Sequence, residues 1–175
     1  GLGFTKEGAH RYRLPNTPTN WSASIAIGKF REFKINVHNT IVRISVLGNI
    51  DASLRNALNT WIASVATVVE SAYGSLPVAD VQVLLLPVHT PRSDAVLFGQ
   101  STRGQGNALT LLINPTRPLT EFRDDWTAVH EMAHLFHPYL GDEGRWLAEG
   151  LASYWQNVLR ARSGLLTEEL AWQRL

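Results

Sequence analysis

A chain of 175 residues, 45% hydrophobic and 18% charged, has the length and composition of one globular domain, which buries roughly 70% of the surface exposed when unfolded. The net charge of +1 gives no electrostatic reason to expect nucleic acid or an anionic membrane as partner. The longest apolar runs, such as Val83 to Val88, fall far short of the roughly 20 residues of a membrane helix. With no cysteine, a disulfide framework, a thiolate metal site and a cysteine nucleophile are all excluded.

Residues 1 to 20 carry Gly1, Gly3, Gly8, Pro15 and Pro18 among polar side chains and read as a loosely tied arm. From Trp21 to Leu47 the pattern turns to alternation: Ile25 and Ile27, then Phe33, Ile35 and Val37, then Ile41, Ile44 and Val46. This predicts two or three antiparallel strands with a turn at His38-Asn39. The short basic clusters, His10 to Arg13 and Lys29 to Lys34, are interleaved with apolar residues and read as solvated strand faces. Gly48 to Asp51 ends the alternation. Leu54, Leu58, Trp61, Ile62, Val65 and Val69 then recur at helical spacing, with Gly74 suited to the C-terminal cap and Pro77 beyond it.

Val81 to Val88 is a continuous apolar run between Pro77 and Pro91 and predicts a strand buried on both faces. Val96 to Gln100 and Ala108 to Asn114 predict a hairpin around a Gly104-Gln105-Gly106-Asn107 tip. Arg103 and Asn107 would line a cleft if the second strand were the sheet edge, where an extended substrate could add by backbone hydrogen bonds. The next helix is expected to begin between Thr120 and Asp125, with Asp124 and Asp125 favourable near its N-terminus, and to stop at Pro138. Phe122, Trp126, Val129, Ala133 and Phe136 would pack one face, leaving Thr127, His130, His134 and His137 on another. Gly141 or Asp142 would cap a following helix with Glu149 about two turns in, and Thr167-Glu168-Glu169 starts a last one. Extended segments alternating with helices give an α+β or mixed α/β domain without internal repeats. The start at Gly1 and the end at Leu175 read as the limits of a piece of a longer protein.

The most informative words are His130-Glu131-Met132-Ala133-His134. On a helix, positions i and i+4 share a face, so two imidazoles converge on one ion. Glu131 lies about 100° round the axis, too far to be a third ligand but within reach of a metal-bound water. Catalytic zinc takes three protein ligands and keeps one position open, so a third donor must come from elsewhere. His137 and Glu149 stand close by. His137 is about 10.5 Å along the axis from His130, and three ligands on one straight helix do not easily surround an ion. Glu149 follows Pro138, Gly141 and Gly144, which supply the breaks needed to start a second helix, and is the better ligand.

Trp146 to Tyr154 resembles the W-L-x-E-G-x-A-x-Y segment of the gluzincin metallopeptidases, whose third zinc ligand is that glutamate. Residues 149 to 171 look most like the glycyl aminopeptidase family, where a helix leaves the glutamate and ends in an R-A-G-L-like turn. The upstream order is also similar: a long helix closed by G-x-L-P, two strands, then the H-E-x-x-H helix. The resemblance covers roughly residues 48 to 175. It implies a thermolysin-like zincin catalytic domain there, with a mixed sheet packed on the zinc-site helices, preceded in residues 1 to 47 by an arm and antiparallel strands. It also implies that His130, His134 and Glu149 bind one zinc ion, that Glu131 is the general base, and that the partner is a peptide or protein substrate. Two departures limit it. Only 14 residues (135 to 148) separate the second histidine from the glutamate, shorter than that family leads one to expect. Related aminopeptidases anchor the substrate's free amine with an acid on or near the strand before the zinc helix, whereas Ala95 to Thr120 contains no Asp or Glu. This argues against aminopeptidase action and leaves endopeptidase or other amide hydrolysis open.

In such a site zinc lowers the pKa of its water to about 7, and the Glu131 carboxylate takes the proton as that water attacks a carbonyl. The oxyanion needs a second donor, for which His137, Tyr139 and Tyr154 are candidates. Each has a structural alternative: His137 as a helix C-terminal partner, Tyr139 as a loop side chain, Tyr154 as a ring packed between helices. Ser153, four residues after Glu149, could buttress a ligand histidine or simply pack. Three readings remain: a zinc peptidase, a non-catalytic binding module that kept the fold, and a zinc hydrolase acting on a non-peptide amide or epoxide.

Overall fold

The computed structural model describes residues 5–13, 26–102 and 106–175. The expectations for Trp21 to Ile25, for Arg103 and for the Gly104-Gln105 part of the hairpin tip lie outside these residues. Within the expected loose arm, Thr5–Lys6 (β1) and Tyr12–Arg13 (β2) pair antiparallel as a small ribbon.

Five strands build the main sheet: Phe30–Val37 (β3), Thr40–Leu47 (β4), Asp80–Pro87 (β5), Val96–Thr102 (β6) and Ala108–Ile113 (β7), in the order β3-β4-β5-β7-β6. β3 and β4 form the hairpin expected around His38-Asn39, where His38 takes up a left-handed φ of 48°. β4 to β5 is a parallel pairing, which needs a crossover. Ala52–Glu70 (α1) supplies it, capped by the Asp51 carboxylate, which accepts from Leu54 N at 2.8 Å. The chain turns after the helix through Gly74 at φ 76°. β5 and β7 are parallel, β6 and β7 antiparallel. The edge strand is thus β6, the first strand of that hairpin, and not the second as the cleft argument for Arg103 and Asn107 required. Asn107 instead ties the sheet together, its carbonyl accepting from Gln82 N at 2.9 Å.

One face of the sheet carries Val42, Ile44 and Val46, Val81, Val83 and Leu85, and Leu109, Leu111 and Ile113, all fully buried. They form the core with Leu58, Trp61, Ile62 and Val65 of α1 and with Phe122, Val129 and Met132. Each such side chain contributes about 1.5–3 kcal/mol by leaving water. The other face is different. Gln82, Leu84 and Leu86 of β5 are only half-buried, so this strand is not enclosed on both sides as its apolar run predicted.

The single helix expected over residues 120–137 is two. Leu119–Asp124 (α2) stops at Asp125, whose backbone is extended, and Thr127–Ala133 (α3) begins two residues later. The cause is local: the Asp125 carboxylate accepts from Thr127 N at 2.7 Å and starts a new helix instead of continuing the old one. Trp126 falls in the break and is 46% exposed, so it does not share the packed face with Phe122 and Val129. α3 tightens into a 3-10 turn, His134–Phe136, and His137 leaves in an extended conformation before Pro138. Gly141, at φ 71°, turns the chain into Arg145–Arg162 (α4). The cap is Gly144, later than the expected Gly141 or Asp142, so Glu149 stands just over one turn into the helix rather than two. Glu168–Gln173 (α5) starts where expected, Thr167 Oγ1 accepting from Leu170 N at 3.2 Å.

The result is an α+β unit with a mixed five-stranded sheet and, among the described residues, five helices. The division between residues 47 and 48 falls at the end of β4, which belongs to the same sheet as β5. No described helix is long and apolar enough to cross a membrane.

Candidate metal centre

α3 is buried along its whole length, and it carries both histidines and the glutamate of the motif into the interior: His130 is 7%, Glu131 8% and His134 4% exposed. α4 crosses beside it and brings a third donor from the solvent side. Glu149 Oε2 lies 3.1 Å from His130 Nε2 and 3.6 Å from His134 Nε2, and one ligand atom from each of the three residues falls within 4.8 Å of the others. A tetrahedral ion with metal–ligand bonds of about 2.0–2.2 Å needs donor atoms about 3.3–3.5 Å apart. The two measured separations straddle that range. Buried Arg160 ties the helices together, its Nη2 donating to the Asp124 carbonyl at 2.6 Å, so α4 is fixed to the chain that leads into α3.

His137 is not part of this group. Its Nε2 meets His134 Nδ1 at 3.3 Å and its Nδ1 meets the Pro138 carbonyl at 2.9 Å, because the chain leaves the helix at this residue and the ring folds back. On His130 the corresponding partner is Gln156, whose Oε1 lies 3.0 Å from Nδ1. This is the place for which Ser153 was one candidate, and Gln156 was not foreseen from the sequence. The signal was available: Gln156 is seven residues after Glu149, two turns along the same face of α4, and its longer side chain reaches the far side of the ring.

Glu131 lies against the edge strand. A Cβ at Gly99 would stand 2.7 Å from Glu131 Cγ, 3.0 Å from its Oε1 and 2.5 Å from Thr127 Cγ2. Only a residue without a side chain allows β6 and α3 to approach this closely with Glu131 between them. His134, Glu149 and Glu131 open on a cleft of about 530 Å³. β6 forms one wall with Phe98 to Thr102, and the chain from Tyr139 to Asp142, with Arg145 and Glu149, forms the other. Tyr139 therefore faces the cleft, whereas Tyr154 is not among the lining residues and packs its ring edge-on against Trp155, 5.4 Å between centroids. No carboxylate comes from β6. Asp142, on the opposite wall, accepts from Arg145 Nη2 at 2.7 Å.

Two charged groups behind α3 are displaced from their ordinary behaviour. Burial pushes the Asp125 carboxyl up, against the opposing effect of its bonds to Thr127. Burial also lowers Arg160, with Arg174 adding to the effect and the two aspartates opposing it.

No family model and no curated protein matches the sequence. Among solved structures, the chain is similar to an aminopeptidase N family protein from Idiomarina loihiensis, with a TM-score of 0.53 at 16% identity over 82% of this chain and 27% of that one. An M1 zinc metallopeptidase from Deinococcus radiodurans is also similar, at a TM-score of 0.45 and 21% identity over 78% of this chain and 29% of that one, too distant to argue from. The first likeness shows a shared fold. The chain spans little more than a quarter of the length of either protein.

Proposed function

We propose that this chain is the thermolysin-like catalytic unit, centred on residues 48–175, of a zinc peptidase, with His130, His134 and Glu149 as metal ligands and Glu131 as general base. The observation that carries the reading is the convergence of two buried imidazoles and one carboxylate on a single point beside a second, buried carboxylate, with His134, Glu149 and Glu131 facing an open cleft. Two nitrogens and one oxygen are a donor set that zinc accepts with a fourth position left open. Zinc bound there supplies Lewis acidity and lowers the pKa of water at that open position. Glu131, held by the close approach of Gly99, accepts the proton from the attacking water and delivers it to the leaving amide nitrogen. Tyr139, which lines the cleft where Tyr154 does not, is the tyrosine assigned here as oxyanion donor. The fold shared with part of an aminopeptidase N family protein supports the same class of reaction.

The cleft supports a substrate other than a free N-terminus. β6 offers no acid to pair with an α-ammonium, and Asp142 on the other wall is engaged by Arg145. The substrate of this reading is a peptide or protein chain. Glu131→Gln tests the mechanism: zinc content should stay at the wild-type value while peptide hydrolysis falls by several orders of magnitude. Undiminished hydrolysis would remove Glu131 from the mechanism. Zinc binding by the wild type with no cleavage of any member of a peptide library would favour the non-catalytic module.

A further inference from the structure

The residue that opens a helix is most often Ser, Thr, Asp or Asn, whose side chain accepts from the first free N–H groups. α3 departs from that rule. Trp126 occupies the capping position and gives the helix no side-chain hydrogen bond. The Asp125 carboxylate, one residue earlier, does that work by accepting from Thr127 N. Nor does the indole fill the core: it is 46% exposed, while Val129 and Met132 of the same helix are packed inside. Trp126 thus serves neither the helix end nor the interior, and what its ring touches accounts for it.

Trp126 and His130 are one helical turn apart, the Trp126 carbonyl accepting from His130 N at 3.0 Å. Side chains on a helix lean toward its N-terminus, so the His130 imidazole is directed over residue 126. There it meets the indole edge-on, with 5.4 Å between ring centroids and 85° between planes. His134 leans over His130 in the same way one turn later, at 4.9 Å and 88°. His130 is therefore flanked along the helix by two perpendicular rings, with Gln156 at its Nδ1 and Glu149 at its Nε2. It does not line the cleft and is only 7% exposed, although the break between α2 and α3 lies a single turn away. The indole, itself at that break, covers the imidazole there.

We infer that Trp126 is a positioning residue for His130, its indole limiting the rotation of the imidazole so that Nε2 stays aimed at the point shared with His134 and Glu149. The contact is between ring surfaces and requires no particular hydrogen-bond pattern around the histidine. Without the indole the imidazole gains room to turn, and the orientation then has to be fixed at the expense of binding. The inference deepens the proposed metal site and rests on it for its purpose, but the contact itself is testable without metal.

The test compares the wild type with Trp126→Phe, Trp126→Ala and Trp172→Ala, the last removing a 63% exposed indole from α5. Zinc affinity is measured by competition with a chromogenic chelator, and Tm and the histidine ring-proton resonances are measured on metal-free protein. Trp126→Ala should bind zinc about tenfold more weakly, Trp126→Phe within about threefold of the wild type, and Trp172→Ala as tightly as the wild type. The metal-free Tm of Trp126→Ala should stay within a few degrees of the wild type, because a half-exposed ring outside the core adds little stability. Both Trp126 variants should displace the His130 ring protons more than those of His137, since the indole ring current is lost from beside His130. Wild-type zinc affinity in Trp126→Ala overturns the inference, as does a loss in Trp126→Phe equal to that in Trp126→Ala, or His130 resonances that do not move. If Trp126→Ala does not fold, Trp126→Leu, which keeps apolar bulk without a flat ring, takes its place. Displaced His130 resonances in a protein that binds no zinc would uphold the contact and defeat the proposed function instead.

Discussion

The two sides of the candidate metal centre are built to different standards. On one side α3 is buried from end to end and backed by the edge strand, so His130, Glu131 and His134 sit among fixed neighbours. On the other, Tyr139, Asp142, Arg145 and Glu149 are all exposed, and the Glu149 side chain is 54% accessible. The difference separates two demands. Groups that must keep a geometry to a fraction of an ångström are placed on a rigid buried element, whereas a surface that meets variable substrates tolerates exposure and change. Glu149 alone belongs to both walls. It is held by the buried face of α4, with Ala148 and Ala152 packed inward, yet its carboxylate reaches in from the solvent side.

If this contrast is correct, changes on the buried wall should abolish function and changes on the exposed wall should redirect it. The largest effect should come from His130→Ala, which removes a ligand and leaves two donors: zinc binding and hydrolysis should both fall below detection, read by elemental analysis and peptide cleavage. Next is Gly99→Ala. Its Cβ would collide with Thr127 and Glu131, so hydrolysis should drop about 10²-fold from displacement of the base, while zinc affinity changes only a few-fold. Equal losses in both would show that Gly99 supports the metal site rather than Glu131. On the exposed wall, Asp142→Ala and Arg145→Ala should leave zinc content alone and change cleavage rates less than about tenfold, because an exposed ion pair is worth about 0–1 kcal/mol. Their effect should appear as altered preference across a peptide library. A peptide and its N-acetylated form should be cleaved at similar rates by the wild type; strong preference for the free amine would reveal an ammonium anchor.

The smallest effect concerns Asp125, behind the buried wall. Its carboxyl is raised by burial, so the folded state favours the protonated form more than the unfolded state does. Stability from this group is present in acid and declines as pH rises through the raised value. Asp125→Asn keeps the acceptor for Thr127 N and removes the buried charge. Its Tm should equal the wild-type value in acid and exceed it by a few degrees at neutral pH. A variant less stable at every pH would mean that the charge itself holds the start of α3.

Much of this was legible in the sequence, for identifiable reasons. The alternation at Phe33, Ile35 and Val37 and the polar His38-Asn39 pair describe β3 and its turn, and the helical recurrence from Leu54 to Val69 describes α1. The spacing of His130 and His134 is a property of one helical turn, so their convergence could be expected from the motif alone. Other features depend on competition that periodicity does not record. The helix break at Asp125 arises because a carboxylate beside a backbone N–H can start a helix as well as sit within one. β5 reads as apolar on both faces, yet a half-buried leucine is compatible with one covered face, and Leu84 and Leu86 occupy that position. Gln156 was not legible because Ser153, one turn past Glu149, is the nearer polar side chain on the same face. The ring atom that needs a partner points away from the metal, and only a longer side chain, another turn along, reaches it.

The proposed function requires Glu149 to join two buried histidines around one zinc ion. The direct measurement is zinc content of the purified chain by elemental analysis after equilibration with the metal, beside Glu149→Ala. One zinc per wild-type chain is expected, lost or greatly weakened in the variant. No zinc in the wild type, or equal retention in both proteins, would contradict it.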